Sequence, residues 1–194
     1  MSLTFEEEGH IYRYAGQRVP SVTTALSLIE RTFAFVDPGV LEAARAFGRH
    51  VHKAIELFNL GTLDEDELDP ALAPYLAQWK RFVIDTGFEV HEGEQLVYHP
   101  KFRYAGRSDV VGSMRRSSWL IDLKSGAVPR TCALQTSGYQ EATPQKPRKR
   151  AALQLAPDRY NLIEYRDPAD FNYFISAVNC WRWTNQGASS NGRG

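Results

Sequence analysis

The sequence has no excess charge of either sign, because 23 lysine and arginine residues balance 23 aspartate and glutamate residues. A net charge of zero excludes a protein that is polycationic overall and binds nucleic acid through its whole surface, but it allows a local basic groove. Cysteine is scarce as well, with only Cys132 and Cys180 in 194 residues. Two cysteines are too few for a disulfide framework, a four-cysteine zinc site or an iron–sulfur cluster.

Long apolar runs are also missing, and no stretch approaches the roughly 20 residues that a membrane-spanning helix needs. The acidic segment Phe5–Glu8 is unlike a signal peptide. We therefore expect a reduced, soluble protein of the cytoplasmic type that has no membrane partner.

The composition is that of a globular protein, with 43% hydrophobic and 24% charged residues. A chain of this length favours one domain, which we place at residues 1–186. Within it we expect an N-terminal hairpin and a first helix in residues 1–36 and the core in residues 37–186. Residues 187–194 are all small or polar, which predicts a flexible tail.

Three Asp-Pro pairs predict the starts of helices: Asp37-Pro38, Asp69-Pro70 and Asp167-Pro168. Aspartate at the N-cap accepts an unpaired backbone N–H, and proline at the first helical position lacks an N–H that would have no partner there. With Gly61 and Gly87 as stops, the pairs predict helices over residues 38–60, 70–86 and 168–185. In the first of these, apolar residues three and four positions apart predict a buried stripe of Leu41, Ala44, Phe47, Val51, Ile55 and Phe58.

The periodicity between these helices changes to two, which is typical of strands. It predicts strands over residues 90–98, 104–112, 119–123, 151–155 and 159–165. A hairpin over 10–19 and helices over 21–29 and 130–142 complete the pattern. The strand over 119–123 is almost continuously apolar, which favours a central position in the sheet. We therefore predict an α/β fold with a central mixed β-sheet flanked by helices.

Two acidic residues stand in these apolar strands: Asp109, and 13 residues later Asp122. A charge in a central strand costs several kcal/mol unless a partner or a metal compensates it. Lys124 shares a face with Asp122, because side chains two residues apart leave the same side of a strand. Two carboxylates and an ammonium suit a divalent cation beside a phosphate. The alternative is a buried Asp–Lys ion pair, with Asp109 capping a turn.

Two helices carry further polar side chains in rows. Gly48, His52 and Glu56 are four residues apart in the helix over 38–60, and Gln135 and Tyr139 are four apart in the helix over 130–142. Glycine one turn before an imidazole lets another group approach closely. The alternatives are a solvated or core histidine, and a surface glutamine beside a half-buried tyrosine.

In this order, the patterns Gly-x3-His-x3-Glu, Gly-Arg-x-Asp, Ile-Asp-x-Lys-x-Gly and Gln-x3-Tyr resemble those of the PD-(D/E)XK nuclease superfamily, and most of all its RecB-type exonuclease branch. The resemblance extends from about Gly48 to Tyr165. The segment Val19–Leu26 also resembles the first helix of phage-type and mitochondrial genome maintenance exonucleases, although Ser21 alone would cap such a helix. The resemblance implies a restriction-endonuclease-like core.

The resemblance also implies roles for single residues. Asp109, Asp122 and the Leu123 carbonyl would bind Mg²⁺ or Mn²⁺ together with His52, whose imidazole favours Mn²⁺. Lys124 would activate the attacking water and offset charge on the phosphate. Glu56 would act beside the metal water or support His52. Gln135 and Tyr139 would hold the substrate or the water. Glu94 is a weaker candidate because Glu89 and Glu92 compete with it.

DNA is the implied partner, with recombination or repair proteins as further partners of a prokaryotic or phage-type enzyme. The cationic run Lys146, Arg148, Lys149 and Arg150 and the helical residues Arg45, Arg49 and Lys53 agree with phosphate binding near the site, although charge runs also occur on solvated faces. The residues expected to contact nucleic acid are Ser21, Thr23, Arg49, Lys53, Arg107, Ser125, Gln135, Tyr139, Lys149 and Arg150.

The sequence departs from relatives in this superfamily at two points. It lacks the four-cysteine cluster of iron–sulfur exonucleases, and Arg-Ser stands before Asp109 where the superfamily pattern has proline. The resemblance nevertheless implies a metal-dependent DNA nuclease, and specifically an exonuclease. A catalytically idle DNA-binding or assembly protein of the same fold and an RNA-directed nuclease are the alternatives.

Overall fold

The structure, a computed structural model, describes residues 2–185, so the predicted tail at 187–194 lies outside the described residues. At its centre is a mixed five-stranded sheet. From one edge to the other its strands are Tyr160–Tyr165 (β10), Lys149–Leu155 (β9), Ser117–Lys124 (β8), Val110–Met114 (β7) and Glu89–Glu92 (β4). β8 pairs parallel with β9, and the other pairs are antiparallel. The predicted central position of residues 119–123 is confirmed.

Two smaller sheets accompany the central one. An antiparallel three-stranded sheet is built from Leu3–Glu6 (β1), Ile11–Tyr14 (β2) and Gln17–Val19 (β3). A hairpin is built from Gln95–His99 (β5) and Tyr104–Ser108 (β6). The hairpin predicted over residues 10–19 is confirmed. β1 was not predicted, because only four residues alternate before the acidic turn that follows them.

Two strands expected to be continuous are each broken, and the breaks face one another. The strand predicted over 90–98 is divided at Gly93 and Glu94 into β4 and β5, and the one predicted over 104–112 is divided at Asp109 into β6 and β7. At the first break the chain leaves the central sheet for the β5–β6 hairpin, and at the second it returns to the central sheet. Gly93, Glu94 and Asp109 line one pocket. Periodicity alone could not separate these strands, because the alternation continues through each break.

Residues 2–185 contain five helices: Val22–Leu26 (α1), Pro38–Asn59 (α2), Ala73–Thr86 (α3), Cys132–Ala142 (α4) and Asp170–Asn185 (α5). Asp37 caps α2 as predicted, accepting from two backbone N–H groups. Asp69 and Asp167 instead cap turns, so α3 and α5 begin later than predicted. No helix within residues 2–185 is both long and apolar enough to cross a lipid bilayer.

The helices cover both faces of the sheet, and β8 shows how its residues are divided between them. Trp119, Ile121 and Leu123 pack with α2 and α3 in one core. Leu120, on the other face, packs with α1, α4 and α5 in a second core. Asp122 therefore points toward α4, because it shares the face of Leu120. This arrangement is the predicted α/β fold with a central mixed sheet flanked by helices.

Only the C-terminal half of α2 packs on the sheet. Val51 and Ile55 are 1% exposed, and Phe47 and Phe58 are half-buried against the same core. Ala44 is exposed, contrary to the predicted stripe, because the first half of the helix extends beyond the core. His52 therefore lies where the helix meets the sheet.

Candidate active site

The loop between β6 and β7 is fixed to the end of β8 by Asp109. Its Oδ2 accepts a hydrogen bond from the Leu123 backbone N–H at 2.7 Å. The Asp109 side chain is 15% exposed, so this carboxylate has little access to water. Burial opposes its charge, but the nearby His52, Lys124 and the Leu123 N–H outweigh burial and lower the pKa of Asp109. Asp109 is therefore ionised and held at the edge of the sheet.

His52 lies between the same two residues. Its Nε2 is 2.9 Å from the Leu123 carbonyl oxygen, and its Nδ1 is 3.6 Å from Asp109 Oδ1. Both of these groups are acceptors, whereas a neutral imidazole has only one N–H. Burial disfavours the charged ring, but the Asp109 carboxylate outweighs burial and raises the pKa of His52. The arrangement therefore favours the imidazolium.

A glycine allows α2 to come this close to the end of β8. A Cβ atom at Gly48 would lie 3.3 Å from Ser125 Oγ, which is tighter than ordinary van der Waals contact. Gly48 precedes His52 by one turn, so the close approach brings the imidazole to the strand end. The expectation that glycine permits a close neighbour at this position is confirmed.

Asp122, at 1% exposed, is surrounded by three donors. Lys124 Nζ lies 2.6 Å from Oδ2, Gln135 Nε2 donates to Oδ1 at 2.9 Å, and Cys132 Sγ lies 3.3 Å from Oδ2. Burial and repulsion by Asp109 exceed the attraction of Lys124 and raise the pKa of Asp122. Two buried carboxylates thus share one small region and compete for its positive charge.

Lys124 connects this carboxylate to α4. Its Nζ also lies 3.4 Å from Gln135 Oε1, and its side chain is 21% exposed. Burial opposes its charge, but Asp122 outweighs burial and raises the pKa of Lys124. The structure contains the Asp–Lys pair of the simpler interpretation. Asp109 does not cap a turn, however, because its carboxylate accepts from the backbone of β8, 14 residues along the chain.

Tyr139 is placed by the glycine of the Gly-Arg-x-Asp pattern. A Cβ at Gly106 would lie 2.6 Å from Tyr139 Cε1 and 3.2 Å from Val22 Cγ2. Only glycine leaves room for the ring there. Tyr139 is 4% exposed, and burial together with the charges of Asp122 and Asp109 raises its pKa.

A small pocket opens beside Asp109, on α2 and the strand breaks. Its free volume is about 20 Å³, which suits one water molecule or small cation. The residues that line it are His52, Ile55, Glu56, Asn59, Gly93, Glu94, Asp109, Val110 and Leu123. Burial, opposed by Arg107 and assisted by Asp109 and Glu56, raises the pKa of Glu94. The pocket is therefore rich in carboxylates.

The structure distinguishes Glu94 from the two glutamates that compete with it in the sequence. Glu89 lies in the β4–β7 ladder opposite Ser113, and Glu92 accepts from two glutamine side chains. Of Glu89, Glu92 and Glu94, only Glu94 lines the pocket. Cys132 and Asn59 were not among the sequence candidates. Cys132 had a usable signal, because it precedes Gln135 by three residues and so shares its helical face.

The donor types at this site suit a hard divalent cation. Within residues 2–185 no three His, Cys, Asp or Glu side chains are arranged to hold a metal ion by themselves. Asp109 instead faces the imidazole of His52, and Asp122 faces the ammonium of Lys124. Two carboxylates and the Leu123 carbonyl nevertheless provide the oxygen donors that Mg²⁺ and Mn²⁺ take. The residues fit a cation that replaces these two positive charges.

Two candidates for nucleic-acid contact lie at α1. Ser21 is 3% exposed, and its Oγ accepts from the Thr24 backbone N–H at 3.0 Å as the N-cap of the helix. Thr23 is exposed, and its Oγ1 lies 3.4 Å from His10 Nε2. The capping interpretation of Ser21 is confirmed.

Four more candidates for nucleic-acid contact lie around the pocket or along α2, and three of them form salt bridges with glutamates. Arg49 pairs with Glu42 at 3.0 Å, Lys53 with Glu56 at 2.7 Å and Arg107 with Glu94 at 2.5 Å. Ser125 is half-buried opposite Gly48. Contact with phosphate would require these cations to leave their acidic partners.

The expected position of the cationic run near the site is wrong. Lys149 pairs with Trp119 in the β8–β9 ladder, five residues and roughly 17 Å from Lys124 at 3.3 Å per residue. Arg150 is 6% exposed, and its guanidinium binds Asp170 and the carbonyls of Tyr165 and Asp167. Arg150 is therefore not free to contact phosphate, because the parallel register places it at the opposite end of the sheet, where it is buried and both of its Nη groups have partners.

Comparisons with known proteins gave distant structural similarities. No family model and no curated protein matches the chain. The solved structure of SSO0001 is 15% identical, with a TM-score of 0.36, and covers 68% of each chain. An alkaline exonuclease from Laribacter hongkongensis, LHK-Exo, is 15% identical with a TM-score of 0.43, covering 88% of this chain and 89% of its own. The same exonuclease in complex with dAMP is 17% identical with a TM-score of 0.35, covering 73% and 85%. At these TM-scores the similarities assign no activity, and function is inferred from the site.

Proposed function

We propose that the chain is a metal-dependent nuclease of the PD-(D/E)XK superfamily, of its RecB-type exonuclease branch, that hydrolyses phosphodiester bonds in DNA. The observation that supports this most is the convergence of His52, Asp109, Asp122, Lys124 and Gln135 at one strand end. They come from α2, the β6–β7 loop, β8 and α4. A structural ion pair needs two such groups, and this site contains four ionisable ones.

The cation would be held by Asp109, Asp122 and the Leu123 carbonyl, with His52 as the fourth donor. A bound Mg²⁺ or Mn²⁺ supplies charge stabilisation to the phosphate and lowers the pKa of a water molecule. His52 would have to lose a proton before donating to the cation, because its two nitrogens now face acceptors. Asp122 would exchange its contact with Lys124 for the cation.

Lys124 then becomes available to the substrate. Its ammonium is charged and belongs to the same cluster as the carboxylates, so it would orient the attacking water and offset charge that builds on the phosphate. Gln135 Nε2 holds Asp122 Oδ1, and its Oε1 faces Lys124. Gln135 would thus keep both groups aligned during the exchange. Tyr139, one turn further along α4, would hold this part of the helix in place by packing against Gly106.

The pocket beside Asp109 would receive the water or the phosphate oxygen nearest the cation. Glu94 and Glu56 line it, and a glutamate whose pKa is raised, as that of Glu94 is, is suited to accept or give a proton. Arg107 pairs with Glu94 and would be released to a phosphate when Glu94 turns to the cation.

The test is cleavage of end-labelled substrates by the purified protein. Single-stranded DNA, double-stranded DNA and RNA, each labelled at either end, are incubated with Mg²⁺, Mn²⁺ or EDTA. Asp122→Ala is the inactive variant, and Asp158→Ala, a change at an exposed aspartate, is the matched control. We expect mononucleotide release from DNA with either metal, none in EDTA and none from Asp122→Ala.

Each of the other possible outcomes would contradict part of this proposal and favour a different function. Full cleavage in EDTA after metal removal would overturn the metal-dependent mechanism. Cleavage of RNA alone would make the chain an RNA-directed nuclease. DNA binding without cleavage under any metal would make it an idle binding or assembly protein of this fold.

A further inference from the structure

A group of four cations lies away from the site, at the tip of the β5–β6 hairpin. It consists of Arg18 on β3, Lys101 and Arg103 in the hairpin turn and Arg182 on α5; we call it the hairpin-tip patch. Arg182 donates to the backbone carbonyls of Phe102 and Arg103. Arg103 Nη2 donates to Gln17 Oε1 at 2.6 Å, which brings it to β3. Three separate parts of the chain thus place positive charge at one point.

The charges of this patch are not neutralised by acids. Within residues 2–185 none of the four cations forms a salt bridge. Arg18 lies 6.0 Å over the Trp181 ring, and Lys101 lies 5.2 Å from the Phe102 ring. The cations near the active site, in contrast, are paired with carboxylates. Burial, together with the charge of Arg103, lowers the pKa of Arg182.

We propose that the hairpin-tip patch binds the phosphate backbone of a nucleic-acid strand whose end lies in the active site. This inference rests on the proposed function. β6 connects the two places, because it leads from Arg103 to Asp109. Five residue steps, from Tyr104 to Asp109, span roughly 17 Å at about 3.3 Å per residue. A strand at the duplex spacing of about 3.4 Å per nucleotide covers that distance with about five nucleotides.

Aromatic rings beside the patch suit the bases of such a strand. Tyr14 and Tyr98 are stacked, with their centroids 3.9 Å apart and their planes 10° from parallel. Tyr14 pairs with Gln17 in the β2–β3 ladder, and Gln17 is the residue that binds Arg103. Both rings are half-buried. Unpaired cations beside half-exposed aromatic rings are typical of surfaces that hold single-stranded nucleic acid.

The test measures binding without cleavage. Fluorescence anisotropy in EDTA compares oligo-dT of about 20 nucleotides, which reaches the patch, with oligo-dT of about three nucleotides, which reaches only about 10 Å. The variant is Arg18→Gln with Lys101→Gln. The matched control is Arg115→Gln with Arg116→Gln, which removes the same charge at the far end of β7. All variants are checked for an unchanged melting temperature.

We expect the patch variant to bind the long oligonucleotide about 10- to 30-fold more weakly at about 0.1 M salt. The slope of log Kd against log salt concentration should fall by about 1.4, because each phosphate contact to a single strand contributes about 0.7. The short oligonucleotide and the control variant should change by less than about twofold, since charges beyond about 10 Å are screened at this salt concentration. Charge reversal, Arg18→Glu with Lys101→Glu, should enlarge the loss.

Equal losses in the patch and control variants would overturn the proposal. So would equally tight binding of poly-glutamate, which would make the surface a site for an acidic protein. Cleavage of the short oligonucleotide with Mn²⁺ tests the active site separately. If the wild-type protein cleaves it and the patch variant keeps full affinity for the long one, the patch proposal fails and the proposed function stands. If nothing is cleaved but the patch variant loses affinity, the proposed function fails and the patch stands.

Discussion

Two buried acid–base pairs, one at the candidate active site and one away from it, differ in what surrounds them. Asp122 and Lys124 lie 2.6 Å apart at the C-terminal end of β8. Arg150 and Asp170 form a close pair between β9 and α5, with side chains 7% and 13% exposed. The two Nη groups of Arg150 also donate to the backbone carbonyls of Tyr165 and Asp167. Asp122, in contrast, has a second carboxylate and an imidazole nearby.

The difference shows which property of a buried charge indicates function. Arg150 and Asp170 neutralise each other and connect two elements, which is sufficient for a structural role. At the strand end, Asp109 faces the imidazole of His52 and Asp122 faces the ammonium of Lys124, and the proposed function requires a metal ion to displace both cations. Burial of a charge alone is compatible with a structural role. A metal-dependent site, in contrast, requires carboxylates whose present cationic partners can give way to a metal ion.

The largest expected effect separates the two acids. Asp122→Ala should lower cleavage roughly 10³-fold or more and remove metal binding with it, because a metal contributes several kcal/mol to the transition state. Asp170→Ala should destabilise the fold by about 3–5 kcal/mol, since it leaves a buried guanidinium unpaired. Its rate per folded molecule should not change. Urea unfolding and single-turnover cleavage measure the two effects, and loss of activity in folded Asp170→Ala would contradict the comparison.

The next effect concerns the two lysines at opposite ends of the sheet. Lys124→Ala should lower kcat roughly 10²–10³-fold with little change in DNA affinity, because the ammonium acts as charge builds in the transition state. Lys149→Ala, the control, removes a lysine that pairs with Glu164 far from the site and should leave kcat unchanged. Steady-state kinetics and binding in EDTA decide between the roles. A large loss of affinity with normal kcat would make Lys124 a binding residue.

A smaller effect is expected at His52, and it depends on pH. The pKa of His52 is raised above about 6.5, so at neutral pH a proton competes with the cation. Metal affinity should therefore rise by up to about tenfold per pH unit below that raised pKa and level off above it. His52→Ala should weaken metal affinity about 10- to 100-fold and flatten this dependence. Titration with Mn²⁺ across the pH range measures both, and an unchanged pH profile in the variant would exclude His52 as the competing group.

The same pKa has the opposite consequence for the metal-free protein. A raised folded-state pKa means that the contribution of His52 to stability is complete below the unfolded pKa of about 6.5 and is lost as pH rises through the folded value. Metal-free protein should thus lose this contribution on going to alkaline pH, whereas metal binding becomes stronger there.

The smallest effect is expected at Cys132, which lies 3.3 Å from Asp122 Oδ2. Cys132→Ala should raise the Mn²⁺ concentration for half-maximal activity by about tenfold, the lower limit for groups that orient a metal ligand. Cys132→Ser should restore it to within about twofold, because the hydroxyl also donates. Cys180→Ala, at an exposed cysteine, is the control. If Ala and Ser variants behave alike at equal melting temperature, the thiol does not position Asp122.

Local patterns predicted much of the fold. The helix over 38–60 was predictable because Asp37, Pro38 and Gly61 act through neighbouring backbone groups, and the central strand because both of its faces are apolar. The proximity of His52, Asp109, Asp122 and Gln135 followed from a resemblance, and the structure brings them together. Their roles stay predictions.

Other features depend on contacts that a linear pattern does not contain. The division of the strands at Gly93 and Asp109 depends on where the hairpin joins the sheet. The choice of Glu94 among three nearby glutamates depends on the same breaks. The sequence placed Arg150 near the site, but the parallel register of β8 and β9 pairs it with Leu120, at the far end of the sheet. Each of these errors reflects tertiary pairing overriding a local signal.

The lack of a side chain at Gly106 determines how closely α4 packs against the strands. Because the Tyr139 ring occupies the position that a Cβ would take, any larger residue at 106 would push the helix outward. Gln135 lies one turn before Tyr139 on the same helix and would move with it, away from Asp122. Gly106→Ala would therefore weaken the hydrogen bond from Gln135 to Asp122, although the added methyl group does not contact Asp122. The glycine at position 106 thus sets the distance between β6 and α4, and the alignment of the charged groups depends on that distance.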